Sequence, residues 1–175
     1  EIRLDRAYVG FHFNSNSRFR LAAHPGGPAI EMGGEVMMQA NLVGRPAFYS
    51  NRTSTDATMS AVGCSCANHG VSFFKRDKCF YFNGGEECRF CSLGPTQAAF
   101  SDTLKFKKLR EVEETMAMAV ALDDRIDFVQ LSGGSTANHD REVETYLPYI
   151  VSIRRILDMH KDYEDTPIHL TCMPP

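Results

Sequence analysis

The sequence has no cluster of basic residues, no long apolar run, no internal repeat and no low-complexity tract. With 19 Lys and Arg against 22 Asp and Glu, the net charge is −3 and the pI lies near 6.1. A chain with no basic patch to neutralise phosphates gives no indication of binding nucleic acid or an anionic membrane. No segment approaches the roughly 20 apolar residues that span a bilayer, and no secretory pattern opens the chain, so no membrane association is expected. An initiating Met is also missing, and the sequence stops at Met173-Pro174-Pro175, so the chain is expected to be a fragment.

What is present is an ordinary folding composition. A chain of 175 residues with 43% hydrophobic content suits one globular domain or slightly more, with ample material for a core. Its six cysteines are unevenly placed: Cys64, Cys66, Cys79, Cys88 and Cys91 crowd the middle, and Cys172 stands apart. Disulfide frameworks disperse their cysteines as staples, whereas short clustered spacings favour ligation in a reducing compartment, here expected to be the cytoplasm. Asn51-Arg52-Thr53 matches a glycosylation acceptor, but that tripeptide is common by chance.

Residues 1–70 read as a small, mostly β lead-in. Ala7–Phe13 and Arg18–Leu21 alternate roughly in twos, His24–Pro28 makes a turn, and Gly33-Gly34 interrupts the short apolar runs at Ile30–Met32 and Val36–Met38. From residue 71 the pattern changes. Val71–Phe74 is a strand candidate, and Leu109, Val112, Met116, Ala119 and Val120 make one stripe of a helix with Glu111, Glu113 and Glu114 expected on its wet side. Ile126–Leu131 follows as a strand running into Ser132-Gly133-Gly134-Ser135. A second helix is expected from about Asp140, bent or broken at Pro148, and Ile168–Met173 is a third strand. Strand, helix, strand, helix, strand predicts βαβ units on a parallel sheet over residues 71–175.

The chemistry concentrates in Lys78–Pro95. Cys79, Cys88 and Cys91 share a loop loosened by Gly84-Gly85 and carrying Glu86 and Glu87. Such a loop can turn its sulfurs toward one centre. Thiolates hold iron–sulfur clusters, and three of them leave one iron of a four-iron cluster open to an outside ligand. The same thiols suit zinc, especially with Cys64, Cys66 and His69 upstream, although only Cys88-Arg89-Phe90-Cys91 has the usual two-residue knuckle gap.

This cysteine loop after a strand, followed by a helix and by a strand ending in Gly133-Gly134, resembles the radical SAM superfamily. The resemblance covers roughly residues 71–175 and implies an α/β fold, the first half of a parallel (β/α) barrel. It implies a 4Fe-4S cluster held by Cys79, Cys88 and Cys91, with S-adenosylmethionine on the open iron. Phe90 would lie near the adenine, and Gly133, Gly134 and Ser135 would meet the methionine amino group. Reductive cleavage of the cofactor would then yield a 5′-deoxyadenosyl radical that takes hydrogen from a substrate, small or macromolecular, that the sequence does not identify. A flavodoxin- or ferredoxin-type electron donor is implied as partner.

Two departures from the family pattern stand out. The first cysteine gap spans residues 80–87 where three residues are usual, leaving Cys66 or Cys64 as alternative third ligands. Ser135 stands where Glu is common, leaving the carbonyls of the glycine pair to receive the amino group. The rival reading of the same thiols is a zinc-binding structural or interaction module without catalysis. His169 and Cys172, on the third strand, are secondary candidates for facing a substrate, with packing the plainer role for Cys172.

Overall fold

Turns that glycine makes most easily shape the first part of the chain. A computed structural model describes residues 2–4, 7–9, 16–67, 69–76, 78–89, 91, 93, 106–122, 125–138 and 140–172. The chain divides into two compact units, the first being Glu1–Arg45 with Cys66–Asn68. Within it, β1 (Ile2–Leu4), β2 (Ala7–Val9) and β6 (Asn41–Leu42) form an antiparallel sheet in the order β2-β1-β6. A second sheet is the meander of β3 (Phe19–His24), β4 (Gly27–Met32) and β5 (Glu35–Gln39). Gly33-Gly34 joins β4 to β5 with φ of 64° and 89°, the two positive values that suit a two-residue hairpin turn. Among the described residues of this unit, Ile2, Ala29 and Ala40 are the buried apolar ones.

The second unit is Pro46–Ser65 with His69–Pro175. The sequence pattern puts the division at residue 70, but the compact units part after Arg45. The reason is packing: Phe48, Met59 and Val62 are buried in the same core as the later helices. Phe48 lies in a 3-10 turn over Ala47–Ser50, and Met59 and Val62 belong to the single-turn helix α1 (Met59–Val62).

The sheet of this region has the order β7-β8-β9-β10, from β7 (Cys64–Cys66) through β8 (Gly70–Phe74) and β9 (Phe128–Ser132) to β10 (Ile168–Leu170). β8 runs parallel to β9, and β9 to β10. Helix α2 (Leu109–Leu122) lies between the first two in sequence and α3 (Leu147–Asp158) between the last two. Parallel neighbours need such crossovers, because no tight turn can return the chain to the same end of the sheet. Among the described residues the sheet is open and does not close on itself.

Strand alternation decides what the two faces do. Val71 and Phe73 of β8 register with Val129 and Leu131 of β9, and all four are buried in one cluster with Val112, Met116, Ala119, Ile153 and Leu157 of the helices. The opposite face carries Ser72, Gln130 and His169, which share one row across β8, β9 and β10. One face is therefore an apolar helix-packing surface, and the other carries this polar row together with Phe74 and Phe128.

The glutamates of α2 depart from expectation. Glu111 is buried; it accepts the Lys108 N–H at 2.9 Å and the Thr55 hydroxyl at 2.8 Å. That back-bond from the third helical residue satisfies a donor the helix start would otherwise leave unmade. Glu113 accepts the Ser152 hydroxyl at 2.5 Å, joining α2 to α3. Glu114 accepts both the Ser54 N–H and its hydroxyl at 2.6 Å. A solvated face is thus a row of acceptors that ties α2 to its neighbours. Asp123 and Asp124, expected to end the helix, lie outside the described residues.

Pro148 does not break a helix that has already started. Residues Val143–Thr145 form a 3-10 turn, and α3 begins at Leu147 with Pro148 in its first turn, where no intrahelical N–H is required. Met159 is exposed just past the end of α3.

The Ser54 tether makes a pH prediction. The Ser54 hydroxyl, then its N–H, then Arg110 pull the Glu114 carboxyl down to about 2 from an ordinary 4.5. A depressed carboxyl stabilises the fold above its unfolded value, and that stability is lost as pH falls from 4.5 through about 2. Thermal melts at about pH 5 and about pH 3 should show a smaller acid-induced drop for Glu114→Gln than for the unaltered protein. Equal drops would remove Glu114 from the acid response.

Candidate cysteine-loop site

The site forms where β8 and β9 end side by side. Lys75, the first residue past β8, donates its N–H to Ser132 O at 2.9 Å, and its carbonyl accepts the Lys107 N–H at 3.1 Å. One residue on, Arg76 O accepts the Gly134 N–H at 2.8 Å. The two chains then stay together: Phe80 donates its N–H to Ser135 O at 2.9 Å. Lys75, Arg76 and Lys78–Phe80 therefore run in contact with Ser132–Ser135 beyond the regular sheet, and Cys79 sits on this stretch.

That contact explains the glycines. A Cβ on Gly134 would fall 2.5 Å from Lys78 O and 2.7 Å from Cys79 Cα, and one on Gly133 would fall 2.9 Å from Arg76 O. These are backbone atoms, which cannot swing aside as a side chain can. Gly133-Gly134 is thus a cradle for the segment that carries Cys79. Ser135, the third residue of the run, is buried.

Past Cys79 the chain makes a 3-10 turn over Phe80–Asn83, closed by Phe82 N–H to Cys79 O at 3.3 Å and Gly84 N–H to Tyr81 O at 3.3 Å. Gly85 follows with φ of 69°, and Glu86 returns its N–H to Tyr81 O at 3.2 Å. A second turn joins the other two thiols, with Cys91 N–H donating to Cys88 O at 2.9 Å. Cys88 is exposed, Cys79 and Cys91 are half-buried, and none of the six cysteines is in a disulfide. Phe90, the expected adenine neighbour, lies outside the described residues.

The structure therefore brings Cys79 to the glycine cradle and Cys88 to Cys91, but it does not gather the three. Among the described residues no group of three His, Cys, Asp or Glu side chains converges as a metal site, and this covers Cys64, Cys66 and His69 as well. Three thiols outside any disulfide, on one glycine-jointed loop at the ends of parallel strands, are nevertheless a donor set that fits an iron–sulfur cluster. Of the secondary candidates, Cys172 is half-buried against the apolar core, where burial and Glu142 push its thiol pKa up. His169 is exposed in the polar row, its ring 5.4 Å from that of Phe128.

Beneath the strand ends lies a charged support that the sequence reading missed. Glu142 is 1% exposed, and its carboxylate accepts the Thr136 N–H at 3.0 Å. Lys75 reaches the Thr145 carbonyl at 2.6 Å, with its ammonium 5.0 and 5.3 Å from the ring centroids of Tyr146 and Tyr149. Burial and the neighbouring Arg76 bring the Lys75 pKa down to about 8, against the opposing pull of Glu142. Tyr146, buried and with Glu142 nearby, is pushed up to about 12. Lys75 directly follows a strand, a position where functional side chains gather in α/β folds, and this was the only sequence signal available.

Comparison with known proteins returns no relative: no protein-family model, no curated protein and no solved structure matches the chain. No helix among the described residues is long and apolar enough to cross a membrane.

The cradle sets up a paired prediction. Gly134→Ala should destabilise the protein by about 1–3 kcal/mol, the usual cost of forcing a methyl into filled space. Gly84→Ala, whose Cβ would meet only the Glu86 side chain at 3.8 Å, should stay within about 0.5 kcal/mol. Urea unfolding of the two variants checks the difference, and equal stabilities would mean that the close approach at Gly134 does not constrain the fold.

Proposed function

We propose that this chain is the N-terminal part of a radical SAM enzyme, a partial (β/α) barrel whose cysteine loop holds a 4Fe-4S cluster through Cys79, Cys88 and Cys91. The observation that carries the reading is the contact between the two motifs. The segment bearing Cys79 lies along Gly133-Gly134-Ser135, bonded from Phe80 N–H to Ser135 O, at the C-terminal ends of adjacent parallel strands. Chemistry in parallel α/β barrels gathers at that end. A cofactor held by the thiols and by the glycine run at once needs them on the same edge of the sheet, and an unrelated zinc knuckle does not.

When bound, the cluster and S-adenosylmethionine supply an electron and a sulfonium bond whose homolysis yields a 5′-deoxyadenosyl radical. The chain's own residues do the holding. Cys79 lies against the cradle, Cys88 and Cys91 share one backbone turn, and the Gly133 and Gly134 carbonyls would receive the amino group. Gln130 and the exposed His169, on the face away from α2 and α3, mark the side of the sheet on which a substrate would lie. A cytoplasmic setting and a flavodoxin- or ferredoxin-type donor belong to the same proposal.

Anaerobic reconstitution with iron and sulfide tests it. The expected product is brown, carries about four iron atoms per chain, and cleaves S-adenosylmethionine to methionine and 5′-deoxyadenosine once reduced. Cys88→Ala and Cys91→Ala should each abolish both properties. Cys79→Ala should do the same; full iron and cleavage in that variant would move the third ligand to Cys66 or Cys64. A colourless protein with stoichiometric zinc would replace the enzyme reading with the zinc-module one.

A further inference from the structure

The short turn before α3 reaches under both strand ends, and one of its side chains is bonded into the cradle. Glu142 is almost wholly buried, and burying a carboxylate is costly unless it is paired and hydrogen-bonded. Filling space there would not need a charge. What the carboxylate does is accept the Thr136 N–H, next in the chain to Ser135. Ser135 O in turn accepts the N–H of Phe80, the residue after Cys79.

A continuous relay thus runs from the Glu142 carboxylate through Thr136 and Ser135 to the backbone beside the first thiol. Among the described residues, Lys75, Tyr146 and Cys172 feel the Glu142 charge, and the Arg76 cation lines the same small cavity as the carboxylate. Lys75 is itself bonded to Thr145 O on the same turn as Glu142. Tyr146 closes that turn from below, its hydroxyl 3.2 Å from where a Cβ on Gly133 would lie.

We propose that Glu142 is a positioning residue: its buried carboxylate fixes the Gly133–Thr136 loop and, through that loop, the placement of Cys79. The role deepens the reading given under Proposed function, since it matters for catalysis only if Cys79 is a ligand, but the placement itself is a property of the metal-free protein. It belongs to neither of the two sequence motifs. It says that the cradle is held from beneath by a side chain on the next βα connection.

Thiol labelling of the reduced, metal-free chain with iodoacetamide, read residue by residue by mass spectrometry, tests the placement. In Glu142→Ala the Cys79 labelling rate should rise about tenfold, the effect of losing one buried hydrogen bond, while Cys88 and Cys91 stay within about twofold. Glu142→Gln, whose amide oxygen can still accept from Thr136, should return Cys79 close to its original rate. A structural defect alone would raise all three thiols together and would not be rescued by Gln.

An unchanged Cys79 rate in folded Glu142→Ala overturns the proposal, and so does a uniform rise. Should Glu142→Ala fail to fold, Glu142→Asp is the deciding variant, because its carboxylate stops one methylene short of Thr136. Faster labelling of Cys79 alone supports the role, and equal or uniformly raised rates reject it. No metal enters the measurement, so a colourless reconstitution would defeat the cluster reading and leave this result standing.

Discussion

Two backbones in contact where side chains would normally keep them apart are the constraint on which the site depends. Gly134 lets the carbonyl of Lys78 and the Cα of Cys79 come closer than any Cβ permits, and the bonds from Gly134 to Arg76 and from Phe80 to Ser135 hold them there. Sheet pairing of β8 with β9 is thereby extended past the last regular residues, from Lys75 to Phe80 on one side and Ser132 to Ser135 on the other. A loop that leaves a strand is usually the most mobile part of a fold. Here backbone bonds at Lys75, Arg76 and Phe80 hold its first residues to the end of β9, and the first of the three thiols lies between the last two of them.

Acidic side chains do much of the remaining tying. Glu111 closes the start of α2 and reaches Thr55, Glu113 joins α2 to Ser152 of α3, and Glu114 holds Ser54. Glu142 does the same beneath the cradle. Each takes a hydroxyl or a backbone N–H from outside its own element, while Glu113 and Glu114 also pair with the guanidinium groups of Arg155 and Arg110. Hydrogen bonds to an ionised acceptor are stronger than neutral ones, and Glu111, Glu114 and Glu142 each satisfy a backbone N–H that turn or helix-start geometry leaves without a ladder partner. A chain with a modest negative charge is using its acids as internal connectors as well as for solvation.

The same fact explains what could be read in the sequence. The order of strands and helices after residue 70 was legible because each element has a period: Val112, Met116 and Ala119 recur by threes and fours, and Val129 and Leu131 by twos. The glycine pair was legible as a motif, although its purpose, the approach of Cys79, depends on residues more than fifty positions away. The glutamates were not legible. By composition Glu111, Glu113 and Glu114 look like a wet helix face, and only the placement of Ser54, Thr55 and Ser152 around α2 shows otherwise. Pro148 misled for a related reason: a proline is a breaker or a starter depending on where the helix begins, and the 3-10 turn at Val143–Thr145 that sets this start has no apolar period of its own. The division after Arg45 was hidden because Phe48, Met59 and Val62 sit in short turns, yet they are core.

The long first cysteine gap looks different once the loop is divided into its parts. Cys79 lies against the cradle, and Cys88 and Cys91 share one backbone turn, so the long gap is the segment between two locally fixed pieces. Loop-closure entropy grows with the logarithm of length, and lengthening a closed segment from three residues to the eight between Cys79 and Cys88 adds only about 1 kcal/mol. The binding free energy of a multi-thiolate site is an order of magnitude larger, about 10–16 kcal/mol for structural zinc in small peptides. Gly84 and Gly85 stand between the fixed thiol and the paired ones, with Gly85 already at a φ of 69° that other residues rarely adopt. The extra length therefore weighs little against a shared ligand. What decides whether the three sulfurs act together is whether the anchored end stays anchored, and that depends on Gly134 above and Glu142 below.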